Sequence, residues 1–72
     1  MRKVFKLEDL DCASCAAKME DAINKIDGVE KATMSFMMQK LTIVADDERF
    51  DKIMDEVERV CARVEPDMTI LR

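Results

Sequence analysis

Two stretches of this chain space their apolar residues with the period of a helix, and the runs around them alternate with the period of a strand. In the first stretch Met19, Ala22, Ile23 and Ile26 fall at i, i+3, i+4 and i+7, with Ala16 extending the stripe backwards. In the second, Phe50, Ile53, Val57, Val60, Cys61 and Val64 keep helical spacing. Before the first helix "KVFKL" (3–7) places Phe5 and Leu7 on one face of a strand. Between the helices, "VEKATMSF" (29–36) alternates through Ala32, Met34 and Phe36, and "LTIVA" follows "MMQK", so 31–45 reads as a hairpin. That turn holds neither Gly nor Asn, which leaves its type open. After the second helix "DMTIL" supplies a short strand with Met68 and Ile70 on one side.

Punctuation supports these elements. Ser14 is the expected N-cap of the first helix and Gly28 its C-terminal stop. An aspartate of "DDERF" is expected to cap the second helix, and Pro66 prevents its continuation. The order strand, helix, strand, strand, helix, strand makes one α+β domain over 1–72. Both amphipathic helices must cover one face of a four-stranded antiparallel sheet, the ferredoxin-like βαββαβ arrangement. Right-handed crossovers then bring three connections to one end: "DLDCAS", the "MMQK" hairpin, and the end of the second helix from Cys61 to Pro66.

Composition narrows the function. The chain has 72 residues, 49% hydrophobic and 39% charged, as suits a small globular domain. No apolar run approaches the ~20 residues of a membrane span, and no signal-type apolar region follows "MRK". A cytoplasmic domain is expected, either a complete small protein or the cytosolic part of a membrane transporter. The net charge is −4, with no Trp, no Tyr and three Phe. Without a basic stripe or an aromatic platform, nucleic acid is not an expected partner. An acidic surface instead gathers cations or meets a basic partner.

Three cysteines make a poor disulfide framework, and a lone Cys-x-x-Cys in a cytosolic protein reads as metal-binding or catalytic. Histidine is absent, which removes Cys/His zinc fingers, Cys–His nucleophilic pairs and serine triads. In "DCASC", Cys12 and Cys15 stand three apart at a loop-to-helix start, so both thiols can reach one ion at about 2.3 Å. The helix N-terminus favours thiolate over thiol. Two ligands leave the site open, as suits a metal in transit. Asp11 adds a carboxylate; two thiolates and one carboxylate carry −3, which suits a divalent ion better than Cu(I). The competing role for Asp11 is as a helix cap.

"LDCASCAAKMEDAINKIDGV", followed by "GVEKATMSF", resembles the heavy-metal-associated domain found at the cytosolic N-terminus of metal-exporting P-type ATPases and in small metallochaperones. The resemblance covers nearly the whole chain and implies metal ligation by Cys12 and Cys15. Copper-carrying members usually have Gly-Met-Thr before the first cysteine, where this chain has Asp9, Leu10 and Asp11. Aspartate directly before that cysteine is similar to the branch handling Zn²⁺, Cd²⁺ and Pb²⁺, and implies Asp11 as a ligand, with Cu⁺ the lesser candidate. The implied partner is a transport ATPase, either the rest of the same chain or a separate protein.

Other residues carry paired readings. Leu10, at the family's methionine position, is expected to pack under the loop. Cys61 lies on the apolar face of the second helix and reads as core, yet its place near the metal end also makes it a candidate third sulfur for Cd²⁺ or Pb²⁺. Glu65 and Asp67 share that end as oxygen donors. Met37 and Met38 read as an apolar docking patch rather than ligands, and Lys18 as a solvated cation near the site. The function expected is capture of a soft divalent ion and its delivery to, or regulation of, an exporting ATPase, without catalysis by this domain. A free-standing zinc or copper chaperone is the alternative. A dithiol oxidoreductase comes behind both, because the helical cover follows the split βαβ order rather than a thioredoxin-like one. An open two-thiol site also allows two chains to share one bridging ion.

Overall fold

Alternation along the strands decides which side of the sheet is covered. The structure is a computed structural model describing residues 1–72. Its elements are β1 (Arg2–Glu8), α1 (Ala13–Asn24), β2 (Val29–Ser35), β3 (Lys40–Ala45), α2 (Phe50–Val64) and β4 (Thr69–Leu71). The strands lie in the order β2-β3-β1-β4 and every neighbouring pair is antiparallel. This is the βαββαβ ferredoxin-like arrangement read from the sequence.

Register aligns the apolar positions. Phe5 pairs with Leu41, Met34 with Leu41 from the other side, and Ala32 with Ile43, so the buried residues of three strands form one continuous face. Val4, Lys6 and Thr33, one residue out of step, are exposed. Against the buried face α1 sets Ala16, Met19 and Ile23, and α2 sets Phe50, Ile53, Met54, Val57 and Cys61. Phe5 and Phe50 stack with ring centroids 6.3 Å apart. No buried side chain is polar or charged. Each large apolar side chain removed from water contributes about 1.5–3 kcal/mol, and this face is where the domain collects it.

Helix α1 does more than pack its apolar stripe. Glu20 Oε2 accepts from the Met34 N–H at 2.8 Å. Asn24 accepts from the Ala32 N–H at 2.8 Å and donates to the Ala32 carbonyl at 2.9 Å. These are backbone groups of β2, an outer strand of the sheet. Helix and strand are thus joined by hydrogen bonds as well as by burial.

Several boundaries differ from the sequence expectation. Helix α1 ends at Asn24, because Lys25 and Ile26 turn back onto the Ala22 and Ile23 carbonyls in tighter i to i+3 bonds. Gly28 instead serves the turn into β2, at φ +97°. No aspartate caps α2. Asp46 stands too far upstream, and its carboxylate accepts from the Glu48 N–H at 3.2 Å, forming a turn ahead of the helix. Phe36 lies beyond the end of β2 and is exposed, and Met68 lies before β4, its N–H bonded to the Glu65 carbonyl across the Pro66 turn.

A Cβ placed on Gly28 would stand 2.8 Å from Ile53 Cδ1 and 3.3 Å from the Arg49 guanidinium. Gly28→Ala therefore combines left-handed strain with overpacking against α2. It is expected to cost about 2–4 kcal/mol, a large share of the stability of a small domain. Urea unfolding checks this: the midpoint should fall with the slope unchanged.

Candidate metal centre

The loop joining β1 to α1 runs through Asp9, Leu10, Asp11 and Cys12. Leu10 is only 2% exposed and forms part of the core, as its packing role requires. Asp9 takes the left-handed conformation at φ 63°, a shape non-glycine residues seldom adopt but aspartate tolerates. The chain is thereby turned so that Cys12, extended at φ −130° and ψ 114°, meets the helix end-on.

Cys12, not Ser14, is the N-cap. Its carbonyl accepts the first helical bond from Ala16 at 3.0 Å, and its Sγ accepts the Cys15 N–H at 3.2 Å. Ser14 lies inside the first turn, and its hydroxyl contacts the Cys12 sulfur at 3.2 Å. Asp11 takes no part in the cap; it is exposed beside it.

This placement separates the two thiols electrostatically. Cys12 is drawn down to about 7 by its hydrogen bond with the Cys15 thiol, then by the Ser14 hydroxyl and the Cys15 N–H. Cys15 is pushed up, first because it is the donor in the shared bond, then by desolvation and by the negative charges of Cys12 and Glu65; Lys18 pulls the other way. Cys12 is thus the more acidic of the two thiols, and Cys15 the one that keeps its proton to higher pH.

The other expected donors are placed differently. Cys61 is buried in the core at 3% exposed, and burial, with the Glu58 charge behind it, raises its thiol to about 11. Glu65 stands close enough for its charge to act on Cys15, so the end of α2 does reach this end of the molecule. No three Cys, Asp or Glu side chains are gathered into a metal-holding group. Cys12 and Cys15 stand together at the start of α1, joined by the Cys15 N–H to Cys12 Sγ bond. Phe36, Met37 and Met38 form the exposed tip of the β2–β3 hairpin, Met37 at 91% and Met38 at 63%.

One residue of this site carries no signal in the sequence. Gln39 closes the hairpin in the left-handed conformation, φ 53°, where glycine or asparagine is usual. Its side-chain oxygen accepts the Leu10 N–H at 3.2 Å, and its amide nitrogen donates to the Leu10 carbonyl at 2.9 Å and the Phe36 carbonyl at 2.8 Å. Its own carbonyl accepts the Leu7 N–H at 2.8 Å. Nothing in "MMQK" distinguishes this glutamine from a solvated one.

An open pair of thiols at the first turn of a helix, on a βαββαβ sheet, defines a small metal-binding module. The chain belongs to the heavy-metal-associated domain family, whose model matches residues 4–66. It is 27% identical over 70 residues, 97% of its length, to a cadmium, zinc and cobalt-transporting ATPase of Bacillus subtilis strain 168. It spans about a tenth of the length of that ATPase. It is also 23% identical over 64 residues to the copper chaperone CopZ of Enterococcus hirae, covering 89% of this chain and 86% of the chaperone. Among solved structures, oxidized MerP from Ralstonia metallidurans CH34 superposes with a TM-score of 0.75 at 17% identity, covering 100% of this chain and 97% of MerP. No helix of the chain is long and apolar enough to cross a membrane.

The thiol ordering is checked by alkylating the reduced, metal-free protein across pH and mapping the modified residue by mass. Cys12 should react first, with a rate rising through a midpoint near 7. Cys15 should follow only at higher pH, and Cys61 should stay unmodified until the protein is unfolded. Equal reactivity of Cys12 and Cys15 at pH 7 would contradict that ordering.

Proposed function

We propose that the chain captures one soft divalent ion, Zn²⁺, Cd²⁺ or Pb²⁺, on Cys12 and Cys15 with Asp11 as third ligand. It then delivers the ion to, or regulates, a metal-exporting P-type ATPase whose cytosolic N-terminal domain it forms. The observation that carries this reading is the pair of half-buried thiols at the start of α1, Cys12 capping the helix, with an exposed carboxylate directly before it. Two thiolates and a carboxylate match the charge and intermediate softness of these ions, whereas Cu(I) is satisfied by two sulfurs alone. The similarity to cadmium- and zinc-transporting ATPases agrees with it.

Residues of this chain perform the transfer in a definite order. Cys12 meets the ion as the available thiolate, Cys15 loses its proton and closes on it, and Asp11 rotates from solvent to fill a third position. Release reverses this by ligand exchange: an acceptor's donor takes the place of Asp11, and the two thiols leave one at a time. Low coordination and partial exposure of both cysteines suit that exchange.

A second reading, a free-standing copper chaperone, is favoured by one observation. The likeness to CopZ spans most of both chains.

Anaerobic Cd²⁺ titration, following thiolate-to-metal absorbance, separates the two readings. Wild type should saturate at about one ion per chain, and Asp11→Ala should weaken Cd²⁺ binding about 10-fold or more while leaving Cu⁺ binding unchanged. Cys12→Ser or Cys15→Ser should abolish tight binding. Cys61→Ser should keep the full absorbance if Cys61 is only core, and lose about a third of it if Cys61 is a third sulfur. Light scattering during the titration reports metal-bridged dimers as a doubling of mass at half an ion per chain. Equal Cd²⁺ affinity in wild type and Asp11→Ala would remove the divalent assignment in favour of the chaperone for Cu⁺.

A further inference from the structure

The thiol loop is held from the side by a residue of another element. The chain has two non-glycine residues in the left-handed region, Asp9 and Gln39, and they sit on the two segments that Gln39 ties together. Gln39 grips both backbone polar groups of Leu10, its N–H and its carbonyl, two residues before Cys12. Its third side-chain bond, to the Phe36 carbonyl, fixes the amide to its own hairpin. Leu10 is anchored below by burial and here by hydrogen bonds, so the backbone entering Cys12 has little freedom. A single polar side chain that pairs with both backbone groups of a distant residue, at the cost of local backbone strain, is the pattern of a loop held in shape for a purpose.

We infer that Gln39 is the positioning residue of the metal loop: its side-chain amide, clamped on the Leu10 backbone, fixes the approach of Cys12 and so governs how long an ion stays on the thiol pair. The residence claim rests on the metal-binding reading above. The clamp also makes the exposed Phe36–Met38 tip and the thiol loop parts of one hydrogen-bonded unit, joined by the amide of the tip's next residue.

Gln39→Gly is the decisive variant. Glycine accepts φ 53° without strain and keeps the backbone carbonyl that bonds Leu7, so the hairpin is retained while the amide alone is lost. Two readouts are needed. Hydrogen exchange at the Leu10 amide, in the metal-free protein, should accelerate about 5- to 30-fold, as loss of one or two hydrogen bonds implies, while exchange at Met34 stays as it was. Release of Cd²⁺ into excess chelator should accelerate by a similar factor. Gln39→Glu keeps an acceptor for the Leu10 N–H but sets a carboxylate oxygen against the Leu10 and Phe36 carbonyls, and should accelerate both readouts at least as much as Gln39→Gly. Met37→Ser, an exposed neighbour outside the clamp, should match wild type on both.

Unchanged Leu10 exchange in Gln39→Gly would overturn the clamp, and faster exchange with unaltered Cd²⁺ release would overturn its control of residence. If wild type holds no Cd²⁺, the metal reading fails, and the residence claim with it; the exchange measurement then judges the clamp by itself.

Discussion

A sheet that buries only one face needs both helices to cover it, and that need empties the core of chemistry. Every buried side chain is apolar, from Met19 and Ile23 on α1 to Leu41 and Ile43 at the centre of the sheet. Polar and reactive groups are left to the ends, where chain enters and leaves the layers. The β1–α1 connection is the one that combines a buried anchor, Leu10, with two half-buried thiols. The site is therefore fixed by the core without being inside it.

The sulfur of Cys12 serves two purposes with the same atom. It caps α1 through the Cys15 N–H, and it is the more acidic of the two thiols. Capping normally falls to an oxygen of Ser, Thr, Asp or Asn. A thiolate in that place is stabilised by the Cys15 N–H it receives, and the helix start is satisfied by a group that remains a nucleophile. Cys15, one turn on, has the opposite bias, so the pair enters the reaction as donor and acceptor of one proton rather than as equals.

Element order and the place of the two close cysteines at a loop-to-helix junction were legible in the chain because they depend on spacing: period two, period 3.6, and Cys-x-x-Cys. Leu10 was legible too, as an apolar residue in a polar loop. The cap was not, because Ser14 has the usual chemistry and Cys12 is seldom counted as an acceptor. The start of α2 was misread for a related reason: Asp46 has the right side chain but lies too far ahead of Phe50, and it forms a turn. Cys61 was legible as belonging to the apolar face, while its depth in the core depends on packing from both layers. Gln39 could not be read at all, since its partner lies 29 residues away and only the folded hairpin brings them together.

The hydrogen bonds from Glu20 and Asn24 to β2 bear on how the molecule behaves in a crowd. An outer strand with free N–H and carbonyl groups is a template onto which a neighbouring chain can add its own strand. Here the Ala32 N–H and carbonyl and the Met34 N–H are already occupied by side chains of α1. The opposite edge is β4, three residues long. Three backbone groups of one edge are thus taken and the other edge is short, so each is a poor template for an added strand. The domain thus leaves half-buried thiols and the exposed hairpin methionines at one end, while its outer strand offers few free backbone groups to a neighbour.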